Sequence, residues 1–236
     1  MTGRDDVRGD LASDLDLPAF VPPPMSAALE AELGSLTAMP ARRPMVQLAK
    51  LVGVSLVYGA GLLAILSVRD DAGELPMGWM FATGLAWLFG FALPIYAALV
   101  PPQGSMMPRW KLAGGAAIAM AIAFIVLGLV IHPSGPSSVQ YGAERFVHGH
   151  WCLELGIATA IVPVVVGAIF LRGALPVASR WVAAGLGAGG GSLGGLVLHL
   201  HCHITDALHV GIIHGGVVGV SALLAAAIVP RTTDVR

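Results

Sequence analysis

An all-α, six-transmembrane-helix bundle with a short cytoplasmic N-terminal tail is the fold class this sequence predicts, and three observations predict it. Of 236 residues, 56% are hydrophobic and 11% are charged, and the mean hydropathy is +0.80. A soluble domain carries about 25% charged residues, so this few cannot coat a water-exposed surface. From Val46 onward the chain becomes a series of apolar stretches, each long enough to cross a hydrocarbon core of ~30 Å as a helix. The 31 glycines and the low aromatic content (6%) fit helices packed closely in a membrane. The formal net charge of −1 supplies no basic footprint for nucleic acid. Two regions follow: a tail over 1–45 and a six-helix membrane domain over 46–236.

The tail is acidic. Residues 1–36 hold two arginines and seven Asp/Glu, a net of −5. Acidic and apolar residues interleave around Asp14-Leu15-Asp16-Leu17, and Pro22-Pro23-Pro24 then makes a stiff break. Ser26 caps a short predicted helix that carries Leu29, Leu33 and Leu36 at i, i+4 and i+7. Such a helix is marginal alone in water. Its apolar stripe reads either as part of a solvated, disordered tail or as a segment that folds on a basic partner. On the second reading Leu15, Leu17, Leu29, Leu33 and Leu36 are the partner-binding residues.

The spans follow in order at 46–68, 78–100, 111–131, 150–171, 180–201 and 207–229. Lysine and arginine set their orientation. With the N-terminus inside, Arg42, Arg43, Lys50, Arg109, Lys111, Arg172, Arg180, Arg231 and Arg236 are cytoplasmic, and only Arg69 and Arg145 are external. Nine against two is a strong positive-inside bias, and six spans return the C-terminus to the cytoplasm. In the fifth span Gly185, Gly187, Gly189, Gly190, Gly191, Gly194 and Gly195 crowd together. In the sixth, Gly211, Gly215 and Gly219 recur every four residues. Close contact between these two helices is the expected consequence. A nucleotide-binding glycine loop is excluded, because no strand precedes the segment.

All eight histidines lie after residue 131, and this topology puts them on the external half with both cysteines, Cys152 and Cys202. His148 and Cys152 are spaced i, i+4 and share a helix face. Imidazole and thiolate are ligands for Zn²⁺ and for softer thiophilic ions. The expected site draws about four ligands from His148, Cys152, His201, Cys202 and His214, with His199 or His203 as replacements for His201. A Cys152–Cys202 disulfide is the alternative in an oxidising compartment. A histidine standing alone at a membrane interface reads instead as a hydrogen-bonded polar residue, and His199 and His209 fit that description. No catalytic triad or phosphate cradle accompanies these residues, so no enzyme is expected. A haem- or quinone-linked membrane oxidoreductase is one rival reading, and a metal-ion transporter is another.

The run Trp151-Cys152-Leu153-Glu154-Leu155-Gly156 resembles the NrsF family of membrane anti-sigma factors, CarR-like six-span negative regulators. So do Leu171-Arg172-Gly173-Ala174-Leu175-Pro176, the glycine-rich fifth span ending in His201-Cys202, and His214-Gly215. The tail from Asp14 through Pro24 resembles the family's N-terminal segment. The resemblance implies a multi-pass protein of the bacterial inner membrane with no enzymatic activity. It also implies that the protein holds an extracytoplasmic-function sigma factor at the membrane until a stress releases it. The external His/Cys cluster makes that stress a metal or redox signal, and no direct contact with nucleic acid is expected. Cys152, His201, Cys202 and His214 match the family's distinctive positions.

Overall fold

The computed structural model describes residues 26–27, 43–102, 107–131, 133, 149–172 and 179–233. The tail leucines 15, 17, 29, 33 and 36, and His132 and His148, lie outside the described residues. The chain divides into two units, Met1–Arg42 and Arg43–Arg236, and the account below concerns the second.

All regular elements among the described residues are helical. The long helices are α1 (Pro44–Leu66), α2 (Met77–Leu99), α3 (Arg109–Val130), α4 (His150–Leu171), α5 (Ser179–His201) and α6 (Gly215–Thr233). A short 3₁₀ turn, Asp70–Gly73, joins α1 to α2, and a π-helical turn, His209–His214, leads directly into α6. Six helical segments are long and apolar enough to cross a membrane, and each starts and stops within two residues of its predicted span. Their outward faces fit a lipid belt, with Val57, Ile65, Phe81 and Leu223 each at least two-thirds exposed. Pro94, Pro163 and Pro230 sit inside helices. Transmembrane helices tolerate this because neighbouring elements satisfy the freed carbonyls.

The helix at the centre is α5, buried along nearly its whole length. Its own glycines explain how three neighbours reach it, and glycines on two others receive its side chains. A Cβ at Gly191 would lie 2.8 Å from the Val217 carbonyl oxygen on α6, and one at Gly190 would lie 3.0 Å from the Ala160 carbonyl oxygen on α4. A Cβ at Gly189 would meet Ile95 and the Phe91 carbonyl on α2. Trp181 of α5 rests on Gly114 of α3, and Leu193 rests on Gly59 of α1. The contact expected with the sixth span is therefore present, and the same chemistry serves four further helices. Dispersion between backbones at this distance takes the place of the hydrophobic drive that lipid removes.

The contacts also give the direction of each helix. The start of α3 lies by the start of α5 at Gly114 and Trp181, and the end of α3 lies by the π turn at Gly128 and Gly211. The end of α1 is tied to the end of α5 by the hydrogen bond from the Arg69 N–H to the Leu200 carbonyl (2.9 Å). Among the described residues, Arg43, Lys50, Arg109, Lys111, Arg172, Arg180 and Arg231 therefore gather toward one end of the bundle, and Arg69 stands at the other.

Candidate metal and thiol centre

At the end of the bundle opposite the lysines and most arginines, four side chains from three elements converge. Cys152 comes from the first turn of α4. Cys202 follows the last residue of α5. His209 and His214 open and close the π turn. One ligand atom from each lies within 4.8 Å of all the others. The two sulfurs are 3.7 Å apart and unbonded, and Cys202 Sγ is 3.5 Å from His209 Nε2. The His209 and His214 rings meet edge to face with centroids 4.9 Å apart. Cys202, His209 and His214 are buried and Cys152 is half-buried.

Local winding creates the histidine pair. In an α-helix, residues five apart point about 140° away from one another around the axis. The i→i+5 hydrogen bonding of a π turn brings them to one side. Here the Gly215 N–H reaches the Val210 carbonyl, which is that pattern. Two close backbone approaches to α3 accompany the turn. A Cβ on Gly128 would sit 2.6 Å from the Gly211 Cα, and one on Gly215 would sit 2.8 Å from the Ile125 nitrogen. The Asp206 carboxylate accepts the backbone N–H groups of Leu208 and His209, fixing where the turn begins.

A buried polar atom with no partner is costly. His214 Nε2 is such an atom, with no hydrogen bond inside the fold. Two thiols, two imidazoles and an unsatisfied ring nitrogen within one small volume are able to hold a metal ion.

The remaining expected residues are placed as follows. His201 Nδ1 donates to the Ser67 carbonyl (2.9 Å), so its ring is engaged at the α1–α2 loop rather than at the cluster. His199 Nε2 donates to the Met80 carbonyl (3.1 Å) and its ring meets Trp79 edge to face. His203 is exposed. Of the expected set, the structure brings together Cys152, Cys202 and His214. It adds His209, which the sequence reading had treated as an interfacial polar residue. The signal that would have found His209 is its i, i+5 spacing to His214 across Gly211, a pairing that only a π turn makes.

A family model described as "NrsF: Negative regulator of sigma F" matches residues 33–234. The chain belongs to the NrsF family. Negative regulation of a sigma factor is therefore its class of function. Residues 1–32, including the acidic run around Asp14 and the triple proline, precede the matched region. Comparison with curated proteins and with solved structures finds no match.

Proposed function

We propose that this NrsF-family protein is an anti-sigma factor of the bacterial inner membrane that sequesters an extracytoplasmic-function sigma factor through its N-terminal tail. It releases that factor when an external metal or redox stress changes the Cys/His centre. The observation that carries the reading is the convergence of Cys152, Cys202, His209 and His214 within 4.8 Å. Tetrahedral zinc, with Zn–S of about 2.3 Å and Zn–N of about 2.0 Å, sets its sulfurs about 3.8 Å apart and sulfur from nitrogen about 3.5 Å. The spacings of 3.7 and 3.5 Å match two edges of that polyhedron, and the four ligand atoms, within 4.8 Å of one another, need only close up slightly to complete it. A haem held by two histidines needs imidazoles on opposite faces of the ring, whereas His209 and His214 touch each other. This favours the regulator over the oxidoreductase.

Cys152, Cys202, His209 and His214 would hold zinc, and the bound ion would tie the outer ends of α4, α5 and α6 together until a competing thiophilic ion took its ligands. An oxidant that takes two electrons and two protons from the thiols makes a Cys152–Cys202 disulfide and removes both sulfur ligands. Masking a partner needs no catalysis, so the protein works as a two-state element biased by ligation. The tail supplies the mask: its net −5 charge over 1–36 and its Leu29, Leu33 and Leu36 stripe suit a basic sigma factor.

Metal analysis beside thiol counting on detergent-purified protein tests the centre. Stoichiometric zinc with two thiols titrating after unfolding is the expected result. No metal and no thiol means the disulfide form, and no metal with two freely reactive thiols overturns the sensing centre. Pull-down tests the tail. Residues 1–45 capture the sigma factor, and Leu33→Asp abolishes capture, because a charge in a desolvated contact costs several kcal/mol, about the size of a hot spot. Capture by residues 46–236 alone overturns the tail as the binding element.

A further inference from the structure

The loop between α1 and α2 is bound to the stretch that carries Cys202 at three consecutive points. The Arg69 N–H donates to the Leu200 carbonyl (2.9 Å), an orphan acceptor at the end of α5. The Ser67 carbonyl accepts from His201 Nδ1 (2.9 Å). Arg69 Nη2 reaches the His203 carbonyl (3.3 Å). Residues 200, 201 and 203 are held, and Cys202 lies between them. The Arg69 side chain is buried, and its Nε and Nη2 form a fork onto the two carboxylate oxygens of Asp71 at 2.6 and 2.7 Å. Such a bidentate pair fixes the guanidinium in direction as well as in place.

Ser67 itself has φ 68° and ψ 155°, in a region close to glycine-only, and no other non-glycine residue among those described has positive φ. A residue persists there only when its surroundings hold it. The rest of α1 is lightly held. Only Leu51, Ser55 and Gly59 on it are buried, and a Cβ at Gly59 would meet Leu193 at an ordinary 3.5 Å. The polar contacts of the Ser67–Asp71 loop add to this light packing at its outer end, and α1 is the helix that leads back to the tail.

We infer that Ser67–Asp71 is a latch between the Cys/His centre and α1, with Arg69 as its positioning residue, so that a displacement of Cys202 passes to the helix from which the tail extends. The inference rests on the proposed reading of the centre as the sensor. Arg69 is not one of the four clustered side chains. It acts by holding the carbonyls on both sides of a ligand, the kind of outer support whose loss weakens metal binding about 10–100-fold.

Hydrogen exchange on the full chain in lipid nanodiscs, read over peptides covering 67–71, tests the latch beside a sigma-dependent reporter in cells. In the wild type, stripping zinc with a chelator raises exchange at 67–71 tenfold or more. Arg69→Ala shows that raised exchange at saturating zinc and switches the reporter on without stress, at unchanged membrane abundance. Arg69→Lys restores part of both. Wild-type exchange at 67–71 that ignores zinc removal overturns the latch, and so does an Arg69→Ala protein that silences the reporter normally. If Arg69→Ala exchanges fast throughout, it has unfolded, and Asp71→Asn, which keeps the shape and removes the ion pair, is read in its place. If the wild type takes up no zinc, the metal reading has failed on its own. Cys202→Ser then supplies the perturbation: faster exchange at 67–71 sustains the latch, and unchanged exchange overturns it.

Discussion

Cys202 joins two sets of contacts: its sulfur faces Cys152 and His209, its flanking carbonyls at Leu200 and His203 are held by Arg69, and the ring of its neighbour His201 is held by the Ser67 carbonyl. The cluster ranks the histidines. Replacing Cys152 by Ser, or His209 or His214 by Ala, removes one of four ligands, and zinc retention in equilibrium dialysis falls at least a hundredfold. His201→Ala retains stoichiometric zinc, because that ring is spent on Ser67; loss of zinc there returns His201 to the ligand set. The cysteines and His214 were legible as residues because imidazole and thiol crowd one side of a predicted topology. His209 was not, since a helical wheel turns it away from His214. Asp71 adds a pH dependence. The hydrogen bonds from Arg69 hold its carboxyl below the ordinary aspartate range, with smaller help from the charge of Arg69 and the nearby His203, against the opposing effect of burial. A depressed acid stabilises the fold above its unfolded pKa and loses that contribution as pH falls through the folded value. Asp70, His201 and His203 line the same polar hollow, and a protonated His201 keeps the Nδ1–H that bonds Ser67. Protection at 67–71, the exchange rate taken relative to its intrinsic value at each pH, is thus unchanged down to about pH 5 and falls only below about pH 4, under the ordinary aspartate value. A loss of protection between pH 7 and 5 contradicts this assignment.

Among the elements, α5 and the π turn carry the most information. A glycine-rich helix is a poor helix former, costing about 1 kcal/mol per glycine relative to alanine. It persists because the missing Cβ atoms admit neighbouring helices, by their backbones at Gly187, Gly190, Gly191 and Gly194 and by the Trp87 ring at Gly195. Gly191→Val places its side chain against the Val217 carbonyl and Val218 of α6, and overpacking of this kind costs about 1–3 kcal/mol. The thermal midpoint in detergent falls by several degrees. Gly53→Ala on α1 meets nothing within 4 Å and leaves the midpoint level or slightly raised. Equal effects from the two substitutions would contradict the central position of α5. The apolar length of each span was readable because bilayer thickness dictates it. The choice of α5 as the centre was not, since glycine content announces close packing without naming the partners. The π turn was hidden for a related reason: it depends on Gly128 of α3 admitting Gly211, a tertiary fact.

For the whole molecule, the decisive quantity is which end faces the cytoplasm, since the proposed sensing centre and masking tail are useful only on opposite sides. The bundle sets the Cys/His centre and Arg69 at one end, and Arg43, Lys50, Arg109, Lys111, Arg172, Arg180 and Arg231 toward the other. Short flanking segments rich in Lys and Arg stay on the cytoplasmic side during insertion. That bias predicts the start of α1 and the end of α6 inside, and the loop at Asp70–Gly73 outside with the cluster. Activity-reporter fusions at residues 40 and 236 should both read cytoplasmic, and one inserted at Gly73 should read external. A thiol reagent that cannot cross the membrane should then reach the half-buried Cys152 from outside, and bound zinc should slow it. An external reading at residue 236 beside a cytoplasmic one at residue 40 would put an odd number of crossings between the termini. It would break the six-span topology, and with it the separation of sensor from mask on which release by an external signal depends. External readings at both termini with six spans intact would place the cluster in the cytoplasm, where the same four ligands would answer to cytosolic metal and thiol chemistry.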